Sequence, residues 1–295
     1  MNRIDFLKLV GLSSIGYAMT NLNELNKIAQ TFPKTTKMPV LFIGHGNPMN
    51  AIEENIFVEG FRKIASQIEK PNAILCISAH WLTNGTKVTA MPFPQTIHDF
   101  GGFPDELFQV QYLAKGSPEL ARETKSILAP TDVELDEKRG LDHGSWSILR
   151  RMYPNADVPV VQLSIDYNKP MPWHFDLARQ LNLLRSKGIL IIGSGNIIHN
   201  LRLVDFYNMN KVDYGFDWAI EARSTFNDYL LSENFDALIN YDKGSTALKM
   251  AVPTPDHFIP LLYSLGLKEK TDKLSLFNDN LVAGSLSMTS VLIQA

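Results

Sequence analysis

The sequence predicts an α/β protein, one domain in which helices cover both faces of a central sheet. Two observations carry this. From about residue 38 to the C-terminus, short apolar runs alternate with segments of helical spacing, as strands and helices do along an α/β chain. The runs are apolar at nearly every position instead of every second one, as in strands buried on both faces. A third observation adds direction. Three of the runs are followed after a short turn by histidine, and open sheets of this class bind ligands beyond the carboxyl ends of their strands.

Taken in order, residues 39–43 form the first strand, which runs into Gly44-His45-Gly46-Asn47-Pro48. Residues 52–68 predict a helix, with Phe57, Phe61, Ile64 and Ile68 on one face. The second strand, residues 73–78, is followed by Ala79-His80-Trp81, so a histidine follows each strand closely. Residues 86–91 predict a further strand. Residues 92–116 form a long aromatic loop, which in a compact domain usually marks a functional loop or lid. Residues 117–129 predict a helix, with Ser117 as N-cap, Pro118 at the first helical position and Glu119 suited to the positive end of the dipole. A short strand is expected at 133–136. Gly140-Leu141-Asp142-His143-Gly144-Ser145-Trp146 then opens a helix running to about Met152.

Residues 158–165 form another buried strand, with Pro159 tolerated near its start. Residues 173–186 predict an amphipathic helix. The strand at 188–193 leads into Ser194-Gly195-Asn196-Ile197-Ile198-His199-Asn200. A long helix is expected at 214–231, with Trp218, Ala222, Phe226 and Tyr229 on one face. Pro253-Thr254-Pro255-Asp256-His257 opens a helix over 258–265, and strands at 274–277 and 285–293 close the chain.

Composition narrows the function. The 295 residues are 45% hydrophobic and 20% charged, ordinary for a globular protein. A formal charge of −3 gives no reason to expect nucleic acid or an anionic membrane surface as partner. The single cysteine, Cys76, lies in a strand and reads as a small buried hydrophobe. A multi-thiolate metal site is thereby excluded, and any transition metal must rest on nitrogen and oxygen ligands. Residues 1–37 precede the expected catalytic domain, 38–295. Their first eight residues, Met-Asn-Arg-Ile-Asp-Phe-Leu-Lys, resemble a twin-arginine export signal in which Ile4 replaces the second arginine. The apolar run after them is too short to span a membrane, and residues 20–37 read as a linker. The expected location is the cytoplasm, with the periplasm through this degenerate signal as the alternative. Stable membrane insertion is not expected.

The seven histidines are informative by placement. His45, His80 and His199 each follow a buried strand, and a parallel sheet gathers such ends together. Neutral imidazoles so placed are candidate metal ligands. His143 and His257 lie in loops that open helices. His174 reads as a helix residue with a polar tip at the surface, and His98 as a loop residue or part of a lid. Asp142 is a candidate to orient His143. Trp81, Trp146, Phe100 and Phe103 are candidates to wall an aromatic substrate, or else core residues. Gly193-Ser194-Gly195 lacks the further glycine of a dinucleotide fingerprint, and no serine nucleophile elbow is present.

Six segments occur in an ordered set: Gly44-His45-Gly46-x-Pro48-Met49, Ser78-Ala79-His80-Trp81, Ile97-His98-Asp99-Phe100-Gly101-Gly102-Phe103-Pro104, Asp142-His143-Gly144-Ser145-Trp146, Ser194-Gly195-Asn196-x-x-His199-Asn200 and Pro253-Thr254-Pro255-x-His257. Together they resemble the class III extradiol ring-cleavage dioxygenases, in the 4,5-DOPA dioxygenase branch. The resemblance implies a three-layer α/β fold around a mixed, mostly parallel sheet. It implies one mononuclear site for Fe(2+) or Zn(2+), with His45, His80, His199 and His257 matching the metal histidines and His143 the acid–base candidate. The implied substrates are a small aromatic diol, a catechol such as DOPA, and O2. Because the four ligand histidines include no carboxylate, one of them is expected to act as a base instead, with His199 the first candidate; Asp256 is a further carboxylate candidate. The alternative functions are a zinc-dependent hydrolase and a non-catalytic metal-binding protein on the same fold. Neither the natural catechol nor the oligomeric state follows from the sequence.

Overall fold

The computed structural model describes residues 36–209 and 211–295. Its strands are β1 (Val40–Gly44), β2 (Ala73–Thr83), β3 (Thr86–Thr89), β4 (Val133–Asp136), β5 (Val160–Asp166), β6 (Ile189–Gly195), β7 (Lys273–Phe277), β8 (Leu281–Val282), β9 (Leu286–Ser287) and β10 (Ser290–Gln294). Eight of them form one sheet in the order β4-β3-β5-β2-β6-β1-β10-β7, while β8 and β9 pair with each other. The centre is parallel, β1 and β2 both pairing with β6 and β5 with β2. The β3–β5, β1–β10 and β10–β7 pairings are antiparallel. The sheet is therefore mixed and mostly parallel, as expected.

The helices are α1 (Ile56–Gln67), α2 (Asp105–Phe108), α3 (Pro118–Ile127), α4 (His143–Met152), α5 (Met171–Gln180), α6 (Asn182–Arg185), α7 (Asp217–Leu231), α8 (Phe235–Ile239), α9 (Thr246–Ala251) and α10 (Ile259–Gly266). One face of the sheet presents Leu41, Ile43, Ile74, Cys76, Leu190 and Ile192 to Phe61 of α1 and Trp146 of α4. The alternate residues of the same strands point the other way, where α10 packs on β6 and β1 and α5 packs on α10. This gives the three layers. Among the described residues no helix is long and apolar enough to cross a membrane. The signal-like segment and most of the linker lie outside the described residues.

Local chemistry sets the helix ends. Asn55 caps α1 by accepting from the amides of Phe57 and Val58, so the helix starts four residues later than its spacing suggests; a 3-10 turn, Pro48–Ala51, precedes it. Ser117 caps α3 through a 3.2 Å bond from the Leu120 amide. Three expectations about the helices need correction. The segment expected as one helix over 173–186 is two, α5 and α6, meeting at Leu181. The buried stripe of α7 is Ala219, Ala222, Phe226 and Leu230, so Trp218 and Tyr229 flank the core instead of forming it. His174 is not at the surface: it is 0% exposed, its Nδ1 3.2 Å from the Tyr263 hydroxyl. Burial pushes its pKa down to about 4, outweighing the opposing pull of its neighbours, Asp166 among them.

The sheet register places the site. Ile43 pairs with Ser194, and Ser194 pairs with Ser78 on the other side. His45 and His80 thus stand two residues beyond the same row, on the strands flanking β6. His80 does not follow its strand, as expected, but lies inside β2, where the pairing with β5 is irregular between Ile77 and Leu82. Such an irregularity re-aims side chains. Gly195 is required at the end of β6, because a Cβ there would come within 2.1 Å of the His257 carbonyl oxygen. That carbonyl accepts from the Asn196 amide at 3.0 Å and so holds the turn before α10 against the sheet edge.

Candidate metal centre

Five histidines converge at this edge. One nitrogen each from His45, His80 and His257 lie within 4.8 Å of one another, and the Nε2 atoms of His45 and His80 are 3.2 Å apart. His199 does not join that triangle. Its ring stacks on His257 with centroids 3.5 Å apart and planes 10° apart, and its backbone amide is tied to the Ala251 carbonyl. It belongs to a neighbouring group with Asp256 and His257. The ring of His143 lies 3.8 Å from that of His80, centroid to centroid.

Three of the imidazoles are aimed by a partner at Nδ1. His45 Nδ1 is 3.0 Å from the Ser194 hydroxyl. That hydroxyl donates in turn to the Gly144 carbonyl, so it receives from His45 and leaves Nε2 free. His257 Nδ1 is held by the Asp256 carboxylate in a short contact, which likewise frees Nε2. His143 Nδ1 and its backbone amide both reach Asp99 Oδ1, each at 3.0 Å. Asp99 Oδ2 also lies 3.8 Å from His80 Nδ1. Burial would raise the Asp99 carboxyl, but the hydrogen bonds and charge of His143 prevail and hold it at about 2.

Burial and mutual repulsion disfavour the charged form of His45, His80 and His199. Burial first, and then the neighbouring His80, His257, His143 and His199, push His45 well below the ordinary histidine range. His80 is likewise lowered by burial and then by His143 and His257, and burial brings His199 down to about 3. Neutral imidazoles with Nδ1 engaged and Nε2 free are the form that ligates metal. The three-histidine donor set, with no thiolate, fits a divalent transition ion that prefers nitrogen ligands. Asp256 is a partner to His257, holding that ring from behind through Nδ1.

A 390 Å³ cavity opens in front of the histidines, walled by Phe100 and Phe103 on the aromatic loop and by Leu201, Val204, Phe206, Met209 and Leu286. Trp81 and Trp146 do not line it. Trp146 is fully buried, its indole donating to the Ile97 carbonyl at 2.8 Å, and Trp81 packs under the Arg139 guanidinium. His98 has its own bond, Nε2 to the Val110 carbonyl at 3.0 Å. Asp142 does not orient His143. Its carboxylate accepts from Ser78, Gln162 and the Ser145 amide, capping α4 and bracing β2 and β5. Sequence reasoning missed Asp99 as the partner of His143. It sits within a quoted motif, but 44 residues away in the chain, where no local spacing links the two. It also missed the apolar wall from Leu201 to Met209, whose only signal is the run of large hydrophobics after His199.

Comparison with known proteins gives a consistent set of matches. Residues 34–290 match the family described as the catalytic LigB subunit of aromatic ring-opening dioxygenase. The chain is 44% identical over 269 residues to the 4,5-DOPA dioxygenase extradiol of Escherichia coli (strain K12), covering 88% of this chain and 96% of that protein. It is 38% identical over 257 residues to the protein of the same name from Beta vulgaris, covering 84% and 94%. The crystal structure of an uncharacterized protein from Escherichia coli K12 matches with a TM-score of 0.76 at 40% identity, covering 87% of this chain and 100% of that one.

Proposed function

The chain belongs to the LigB family of aromatic ring-opening dioxygenases, and from that premise we propose how its own residues carry out the extradiol, metal-dependent opening of a catechol, DOPA being the compound in its relatives' names. His45, His80 and His257 would hold the metal. The observation that carries this is the convergence of their three nitrogens within 4.8 Å, beside the ring of a fourth histidine whose Nδ1 is already committed to Asp99. A divalent ion there would supply Lewis acidity toward a bound catechol, and Fe(2+) would add the redox capacity for O2 that zinc lacks.

His143 is the acid–base residue. With Nδ1–H given to Asp99, its Nε2 carries the lone pair that accepts a catechol proton and returns it as the ring opens. Asp99 fixes that tautomer and offsets the imidazolium charge. His199, stacked on His257, keeps that ligand's ring in plane and closes the site on the α9 side. Phe100 and Phe103 face the substrate ring, and the wall from Leu201 to Met209 excludes water. The reaction inserts both atoms of O2 beside the diol and yields a muconic semialdehyde-type product. Anaerobic loading with Fe(2+), followed by a catechol and O2, tests the reading. One O2 consumed per ring opened is expected; turnover of esters or amides without O2, or no turnover at all, would overturn it.

A further inference from the structure

Beyond its histidines the cavity is built from rings and alkyl chains. Among the described residues no lysine, arginine, aspartate or glutamate lines it. Its polar amides are committed inside the protein: Asn47 Oδ1 accepts from the Met49 amide, and Asn196 Nδ2 donates to the Ser287 carbonyl. Among these lining residues the buried acceptor left without a partner is Asn196 Oδ1. It stands just beyond β6, at the sheet edge where the histidines gather. The outer wall offers Leu201, Val204 and Phe206, the last 76% exposed at the rim. Carboxylates occur in an adjoining 470 Å³ cavity, where Glu53 and Glu54 lie. It shares Gly46, Asn47, Met209 and Leu286 with the first, and Glu54 is already paired with Arg62 and Arg151.

We propose that, given the catechol-cleaving reading above, this site selects its substrate by the ring and an uncharged, apolar ring substituent, so that alkyl- or aryl-substituted catechols are preferred and the amino-acid end of a DOPA-like substrate is left in solvent at the mouth. A charged group drawn into an apolar cavity without a partner loses its hydration and gains nothing in return. Each methylene buried against the outer wall instead favours binding by roughly fourfold.

The test uses the iron-loaded full chain with catechol and its 4-methyl, 4-ethyl and 4-propyl derivatives. DOPA (zwitterion), dopamine (cation) and 3,4-dihydroxyphenylpropionate (anion) are the charged probes. Both kcat/KM from O2 uptake and anaerobic affinity from calorimetry are measured. Along the alkyl series each should rise by roughly threefold to fourfold per methylene. The propyl compound should exceed every charged probe by about tenfold or more, because a side chain whose charge stays in solvent buries little against the outer wall. A charged probe equal to or better than 4-propylcatechol overturns the proposal, and dopamine in first place would assign ammonium recognition to the Glu53 chamber. Phe206→Lys at the exposed rim should favour the anion over 4-propylcatechol by about fivefold or more relative to the wild type; an unchanged ratio also counts against the proposal. If no catechol consumes O2, the ring-opening reading fails, while the anaerobic series still decides the preference.

Discussion

His174 makes a quantitative prediction about acid stability. It is fully buried between Trp173 and Tyr263, and its pKa is lowered from the ordinary 6.5 to about 4 by burial. The unfolded chain therefore takes up a proton that the folded chain refuses. Stability is unaffected above pH 6.5, falls as the pH drops through that value, and stops falling once the pH passes below about 4. The full displacement corresponds to about 3 kcal/mol, of which about 2 kcal/mol is already lost at pH 5. His174→Asn keeps an acceptor for the Tyr263 hydroxyl but has nothing to protonate. Urea denaturation of metal-loaded protein at pH 8 and pH 5 should show the wild type losing about 2 kcal/mol more than the variant. With a slope of about 2–3 kcal/mol/M that is a relative shift of close to 1 M in midpoint. Every other group is common to the two proteins and cancels in the difference. Equal losses in the two proteins would refute the reasoning, whatever the variant's stability at pH 8.

Three further outcomes are expected. His45→Ala and His80→Ala each remove a converging nitrogen and should abolish metal retention with the fold intact; full metal occupancy by elemental analysis in either would sink the assignment. His143→Gln should keep the metal and anaerobic catechol affinity while turnover falls by roughly two to four orders of magnitude, and Asp99→Asn should lower kcat by about tenfold or more with little change in KM; metal loss in His143→Gln would make that residue a ligand. Removal of residues 1–35 should leave O2 uptake unchanged, since they precede the first strand and nearly all of them precede the family match; an inactive but folded truncation would show that the N-terminal segment contributes to the site.

What was legible in the sequence was local. The apolar runs announced the strands, and the short turns after them announced that His45 and His199 would gather at one edge. Ser117 and Pro118 announced the start of α3. What was not legible depended on partners far away in the chain. Asp99 reaches His143 only because the aromatic loop folds back over α4. Asp142, the nearer carboxylate, is drawn down into the helix cap and the Gln162 amide, so adjacency misled. The depth of His174 depends on α10 covering α5, and a helical spacing alone does not say whether a second layer lies above it. The β8–β9 pair escaped notice because strands this short bury too little to leave a hydrophobic pattern. His80 inside β2 reflects an irregular pairing that no propensity encodes.

The Ser194 hydroxyl connects parts of the site that their roles would keep separate. It receives from His45 and donates to the Gly144 carbonyl, one residue from His143. A Cβ on Gly144 would come within 2.5 Å of the Ser78 hydroxyl and 2.8 Å of the His80 ring. The turn after β1 that carries His45, the strand that carries His80 and the first turn of the helix that carries His143 are thus held together around Ser194 and Gly144, with no slack for a methyl group. Tuning therefore cannot be divided between the two tasks. A substitution that relaxes the start of α4 around His143 also loosens His45, and one that shifts His45 also moves His143. Redesign for a new ion or a new substrate has to treat Ser194, Gly144 and their two histidines as one adjustable part.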